Sequence, residues 1–255
     1  KPIKEKLKYL ISINRDKIKH PFYLYSDKEN IDSFYYLKGI KRVLDEFSIA
    51  YEEGFLDKKN VSQSLKEFEA KAIDHFTILA RPLNVENESD FIQKINHNLD
   101  PDRMSDINLG RLLQGDLTYL PATIQSVKAF IDFYNLQVSS KKALIIGRSL
   151  TVGLPLALLL NKYNSTITIA HSKTPIEQLR ESIRNADILA LASGNDTLVS
   201  QDLLHDGQLI IDCGYHDGHG DLCFEPNETV LYTPVPNGIG ALTSYCLILN
   251  AIEQS

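Results

Sequence analysis

The sequence predicts an α/β chain of two domains, each built on a mostly parallel sheet covered by helices, with a last helix that packs back on the first domain. Three observations carry this expectation. The 255 residues suit two modest domains better than one large one. Short β-prone runs alternate with amphipathic helical stretches, the strand–helix–strand rhythm whose crossovers favour parallel pairing. Near the middle, a strand runs through a glycine-bearing turn straight into a helix, over residues 143–163. The first domain is placed at 1–121 with 241–255, and the second at 122–240.

Taken in order, Lys4–Ile18 reads as a helix with Leu7, Leu10, Ile11 and Ile18 at helical spacing, and Phe22–Tyr25 as a short strand after Pro21. Asp32–Phe47 reads as a helix with Phe34, Leu37, Val43, Leu44 and Phe47 on its buried side. Asn60–Ala72 is the next helix, capped by Asn60 or Ser62, followed by a strand at Phe76–Ala80 that Pro82 ends and a helix at Ser89–Ile95. Pro121 opens an amphipathic helix over Thr123–Tyr134, with Val127, Phe130 and Ile131 on one side. Then come strand Ala143–Ile146, the turn Gly147–Gly153, helix Pro155–Tyr163 and strand Thr166–Ala170. Helix Ile176–Asn185 pairs with strand Ile188–Ala192, and a helical segment Ser200–Leu204 with strand Leu209–Asp212. Thr233-Pro234-Val235-Pro236 is a rigid connector into the apolar helix Ala241–Ile252.

With 43% hydrophobic and 24% charged residues, the composition can bury a sizeable core. A formal net charge of −6 argues against a nucleic-acid-binding face. Cys213, Cys223 and Cys246 are odd in number and lack ligand-type spacing, which disfavours a disulfide framework and a zinc site. His205, His216 and His219 have no carboxylate or cysteine companions at ligand spacing, so no metal is expected. No apolar run reaches membrane-spanning length and no signal-peptide pattern opens the chain, which makes a soluble cytoplasmic protein the expectation.

The turn Gly147-Arg148-Ser149-Leu150-Thr151-Val152-Gly153-Leu154-Pro155 departs from the strict G-x-G-x-x-G fingerprint. It keeps the physical ingredients: a glycine where the strand ends, a second where backbone meets ligand or helix, and a helix N-terminus whose N–H groups favour phosphate. The next strand leads into His171-Ser172-Lys173-Thr174, where an NAD site places an acid to grip the ribose hydroxyls. Ser172 with a nearby cation, Arg148 or Lys173, welcomes a ribose phosphate instead, which favours NADP. The alternative is that Lys173 is a solvated loop charge, Ser172 a cap before Pro175 and His171 a structural loop histidine.

Gly147–Pro155 is very similar to the G-R-S-x-x-V-G-x-P motif of FolD-type methylenetetrahydrofolate dehydrogenase/cyclohydrolases. His171–Thr174 resembles their H-S-[RK]-T, Ile211-Asp212-Cys213-Gly214 their I-D-V-G, Ile107–Leu112 their I-N-V-G-R-L, Leu120–Thr123 their L-P-C-T, and Thr233–Thr243 their T-P-V-P-G-G-V-G-P-M-T. The matches run in order from about Arg81 to the end; before that, only layout and Ser33-x-x-Tyr36 correspond. The resemblance implies a substrate domain and a Rossmann-like NADP domain flanking a cleft, usually in a homodimer. It implies that Arg148 and Ser172 hold the 2′-phosphate. Gly147, Ser149 and Gly153 belong to the cofactor turn with His171 beside it, and Gly214, Thr233, Pro236, Gly238 and Gly240 to the nicotinamide end.

The folate half departs from the pattern. Tyr36 matches the tyrosine that stacks on the pterin, but Ile40 stands where Y-x-x-x-K has its lysine. Leu79-Ala80-Arg81-Pro82-Leu83-Asn84 matches V-Q-L-P-L-P, so Ala80 stands for the glutamine. The loop before Ile107 reads as a shortened form of D-V-D-G-F-H-P, with Asp102 or Asp106 left to anchor the pterin. Asn237-Gly238 replaces the double glycine. Cyclohydrolase chemistry needs a positioned acid/base group, which Ile40 and Ala80 do not supply; hydride transfer needs mainly geometry and the cofactor. The expectation is an NADP-dependent dehydrogenase acting on a folate without cyclohydrolase activity. The alternatives are a member retuned to another substrate, for which Arg81 offers a cation, or a non-catalytic nucleotide-binding relative. Tyr36 retains a packing alternative, and Ser33 reads as a helix-start residue.

Overall fold

A computed structural model describes residues 2–215 and 218–255. By its contacts the chain divides into two units, Lys1–Gln114 with Ser244–Ser255, and Gly115–Thr243. His216, one of the histidines weighed for a metal site, lies outside the described residues.

The first unit runs α1 (Pro2–Asn14), β1 (Phe22–Ser26), α2 (Ile31–Glu46), β2 (Tyr51–Phe55), α3 (Val61–Ala72), β3 (Phe76–Leu79), α4 (Glu88–Gln93) and α5 (Asp106–Leu113). Its sheet has the order β2-β1-β3, and both pairings are parallel. The central strand Phe-Tyr-Leu-Tyr-Ser is buried along its whole length, as a strand covered on both faces must be. Asn30 caps α2 by accepting from the N–H groups of Asp32 and Ser33, and Asn60 caps α3 by accepting from Gln63.

Three local expectations need correction. Strand β2 is absent from the sequence reading because Tyr-Glu-Glu-Gly-Phe is polar and sits at the sheet edge, where charge is tolerated. Its Gly54 leaves room for the Tyr23 ring of the neighbouring strand, whose hydroxyl would lie 2.0 Å from a Cβ there. Phe34 is 52% exposed, because the buried stripe of α2 is Ser33, Leu37, Ile40, Val43 and Leu44, which turns position 34 outward. Residues 107–112, read only as a motif, lie in helix α5.

The second unit runs α6 (Ala122–Phe133), β4 (Lys142–Ile146), α7 (Gly153–Lys162), β5 (Thr166–Ala170), α8 (Ile176–Asn185), β6 (Ile188–Leu191), β7 (Leu209–Asp212) and β8 (Leu231–Tyr232). All strands are parallel, in the order β5-β4-β6-β7-β8. Leu144, Ile146, Leu189, Leu191 and Ile210 of the sheet pack with Leu179 and Ile183 of α8. The helical segment expected at 200–204 is only a 3-10 turn, Gln201–Leu203. Ser200 donates to Asp202 at 2.6 Å and Leu203 enters the core, after which Leu204 is already extended.

The chain closes with α9 (Gly240–Gln254). From Ser244 onward this helix belongs to the first unit. Tyr245 donates to Glu46 at 3.0 Å, and Asn250 donates to the Pro101 carbonyl at 2.8 Å. Among the described residues, no helix is long and apolar enough to cross a membrane.

Candidate functional site

In the second unit the strand order reverses between β4 and β6, and the carboxyl ends of strands at such a reversal are where open α/β sheets bind ligands. Gly147 leaves β4 there with φ +127°, and a Cβ on it would stand 2.2 Å from the Ala192 carbonyl oxygen beyond β6. Gly153 opens α7 against the same turn, where a Cβ would stand 2.4 Å from the Gly147 carbonyl oxygen. The two glycines are thus spaced by a backbone packed on itself. Between them, the Ser149 hydroxyl accepts from Val152 N–H at 3.1 Å and from Gly153 N–H at 3.3 Å. A turn this tight, with exposed Arg148 and Ser149 at a helix N-terminus, fits a dinucleotide pyrophosphate.

The register Ile146↔Ala170 brings the end of β5 beside this turn, and Gly147 N–H donates to the Ala170 carbonyl at 2.9 Å. His171-Ser172-Lys173-Thr174 then forms a self-bonded turn. His171 N–H donates to Thr174 Oγ1 at 3.0 Å, and Lys173 N–H donates to His171 Nδ1 at 3.1 Å. The ring nitrogen Nδ1 thus accepts within the turn and holds it in shape. Ser172 and Lys173 are exposed and no acidic residue occupies the turn.

On the other side of the reversal, Asp212 ends β7. Its carboxylate accepts from Gly214 N–H at 2.8 Å, Leu222 N–H at 2.9 Å and Asp221 N–H at 3.2 Å. Its own N–H donates to Thr233 Oγ1 at 2.8 Å, so Gly214 and Thr233 are joined through one residue. Burial pushes the Asp212 carboxyl above the usual aspartate range against those three donors, and Asp221 adds to the push. Burial, with Asp212 and Asp221 nearby, likewise pushes the Cys213 thiol far up. Pro236 follows a cis peptide, and Gly238 has its missing Cβ position 2.2 Å from the Pro234 carbonyl. Asn237 stands at φ +79°, a backbone region that suits the glycine of the related pattern and that asparagine enters more readily than most residues. Gly240 opens α9 with open space around it.

In the first unit, the Tyr36 hydroxyl donates to Asp102 Oδ2 at 2.6 Å. Burial first, then the Asp102 charge, hold the phenol well above its ordinary pKa, so it stays a neutral donor. The pair bears on the loop before α5. Asp100-Pro101-Asp102-Arg103-Met104-Ser105-Asp106 lies under D-V-D-G-F-H-P without a gap, and Arg103, under the glycine, takes φ +57°. Seven residues stand for the seven of the pattern, and of the two aspartates weighed as anchor it is Asp102, not the exposed Asp106, that Tyr36 bonds. Ile40 and Ala80 are both fully buried. The Ala80 carbonyl accepts from Ser33 Oγ at 3.3 Å, one helical turn before Tyr36, which makes Ser33 a tie between α2 and the residue that follows β3. Arg81 pairs through Nε with Glu88, whose other oxygen accepts from Leu83 N–H at 2.5 Å.

Sequence reasoning missed Asp221, Ser193 and Glu88. Glu88 lies close enough in sequence to Arg81 for its charge to have been a signal; Asp221 and Ser193 are 28 residues apart and gave none. Among the described residues, no cluster of histidine, cysteine, aspartate or glutamate suits a metal.

Residues 121–255 match the family described as tetrahydrofolate dehydrogenase/cyclohydrolase, NAD(P)-binding domain. The bifunctional protein FolD of Dictyoglomus turgidum is 36% identical over 236 residues, spanning 88% of this chain and 83% of that protein. That of Clostridium acetobutylicum is 34% identical over 232 residues, spanning 87% and 83%. Among solved structures, the bifunctional FolD enzyme of Campylobacter jejuni has a TM-score of 0.83 at 26% identity, covering 99% of this chain and 94% of that one. The bifunctional 5,10-methylenetetrahydrofolate dehydrogenase/cyclohydrolase of Thermoplasma acidophilum has a TM-score of 0.83 at 26% identity, covering 100% and 96%.

Proposed function

The chain belongs to the FolD-type tetrahydrofolate dehydrogenase/cyclohydrolase family, and from that premise we propose that it is an NADP-dependent methylenetetrahydrofolate dehydrogenase that has lost the cyclohydrolase step. The observation that carries this reading is the contrast inside the first unit: Tyr36 and Asp102 stand bonded at 2.6 Å, while positions 40 and 80 hold buried apolar side chains.

The bound cofactor supplies the hydride acceptor. Losing a hydride from the methylene carbon requires no proton transfer, so the protein's task is to hold and orient. Tyr36 donates to one carboxylate oxygen of Asp102 and offers a ring face for the pterin. Asp102, held in place by that bond, is the carboxylate for the pterin N–H edge. The glycine turn and the α7 N-terminus take the pyrophosphate, and Arg148 with Ser172 takes the 2′-phosphate that distinguishes NADP. Hydrolysis of the methenyl product is different: water must be activated by a group such as lysine, and neither Ile40 nor Ala80 carries a titratable atom. The same reading carries a homodimer, measurable by light scattering.

The test is a paired assay. NADPH should form from 5,10-methylenetetrahydrofolate and NADP, while methenyltetrahydrofolate should disappear no faster than in buffer. Hydrolysis well above the buffer rate would rule out the loss of cyclohydrolase. The double variant Ile40→Lys with Ala80→Gln should recover hydrolysis, since general acid–base groups contribute about 10²–10⁴-fold. A second reading is another substrate at the same place; Arg81, the cation it would call on, is already paired with Glu88, so that reading needs the pair to open. Tight NADP binding with no calorimetric binding of any reduced folate would shift the assignment to it.

A further inference from the structure

In the second unit the Asp221 side chain is 1% exposed. Its Oδ2 accepts three hydrogen bonds from the exposed loop leaving β6: Ser193 N–H at 2.6 Å, Ser193 Oγ–H at 2.8 Å and Gly194 N–H at 3.1 Å. Its own N–H reaches the Asp212 carboxylate, which also takes Gly214 N–H, and the Asp212 N–H reaches Thr233 Oγ1. Gly214 packs so closely that a Cβ would come 2.0 Å from Asp221 Oδ1. One buried carboxylate therefore ties the loop after β6 to the end of β7 and, through Asp212, to the connector after β8. Carboxylates are rarely buried this deeply unless the groups they bind need them.

The position of these loops gives the tie a purpose. In a doubly wound sheet the pyrophosphate lies on the first glycine turn and the adenosine ribose at the strand beside it, here β5. The other half of the dinucleotide then lies over strands on the opposite side of the reversal, here β6 and β7. The residue just before Ser193, Ala192, is the one whose carbonyl packs against Gly147. We propose that Asp221 is the positioning residue for the nicotinamide half of the bound dinucleotide: it fixes Ser193 and Gly194 against Gly214 and Thr233, so that the ring meets preformed loops. Asp221 itself is buried behind them. The inference rests on the NADP reading above.

The test uses Asp221→Asn and Ser193→Ala in the full chain, titrated with two probes. NADP reports the whole site; adenosine 2′,5′-bisphosphate carries the adenosine and 2′-phosphate but no nicotinamide. Asparagine keeps the shape and loses the charge that strengthens all three bonds. Asp221→Asn should weaken NADP by about tenfold or more while the bisphosphate stays within about twofold. Ser193→Ala removes one bond of three and should show the same split at a few-fold. Parallel weakening of both probes would make Asp221 a purely structural residue and overturn the proposal, as would unchanged NADP affinity. If Asp221→Asn does not fold, the split in Ser193→Ala decides. A wild-type chain that prefers NAD would fail the NADP reading alone, and the same split would then be read between NAD and AMP.

Discussion

Replacing Gly147 by alanine should cripple cofactor binding while leaving the first unit intact. The new Cβ would sit 2.2 Å from the Ala192 carbonyl oxygen, and real Cβ atoms essentially never come closer than 3.0 Å, so the turn must retreat by roughly 0.8 Å. The obstacle is backbone at the end of a central strand, which cannot rotate away. The φ of +127° adds strain that a side chain does not relieve, and together these cost about 2–4 kcal/mol. A hydrogen bond of about 2.9 Å from the turn to a phosphate oxygen would lengthen to about 3.7 Å and cease to be one. Each charge-assisted bond lost weakens binding by about 1.5–3 kcal/mol, or roughly ten- to a hundredfold. Fluorescence titration with NADP reads the affinity, and thermal unfolding reads the strain. NADP affinity within twofold of wild type, with an unchanged Tm, would refute the packing argument for this turn.

Two other outcomes follow from named contacts. Arg148→Ala should lose NADP affinity by about 1.5–3 kcal/mol and leave NAD binding nearly unchanged, so equal losses in the two titrations would count against a phosphate contact. Asp27, 3% exposed, has Lys58 Nζ 2.7 Å from Oδ2 and accepts from Glu29 N–H at 3.0 Å. Burial opposes its ionisation, but the ammonium and the N–H outweigh it and hold the carboxyl below the ordinary aspartate range. A depressed folded pKa means stability that is present above the unfolded value of about 3.9 and lost as pH falls through the folded one. Asp27→Asn should therefore destabilise the first unit by about 1–2 kcal/mol at pH 7, discounted because Lys58 is partly solvated, and by almost nothing near pH 2. Urea unfolding at the two pH values checks the difference, and a pH-independent deficit would disprove the ion pair's role.

What the sequence by itself determined is local chemistry. A strand that ends in glycine, a second glycine at the start of the next helix, and the alternation of strand and helix are all encoded within a few positions. The parallel α/β class and the glycine turn were therefore legible, as were helices α8 and α9 in place and extent, whereas the self-bonded form of the His171–Thr174 turn was only the alternative reading. The polar edge strand β2 was not, because its burial pattern depends on which strand lies beside it. Nor was the outward turn of Phe34, since a helix face is chosen by the partner it packs on. Only the tertiary structure joined Tyr36 to Asp102 across 66 positions, selecting Asp102 over Asp106 as the bonded carboxylate. It alone placed Asp221 under the Ser193 loop, 28 positions away. Hydrogen bonds of that span form only after each unit has folded and brought distant loops together. No periodicity records them, because one aspartate in a polar loop reads like any other until the groups it serves are brought to it.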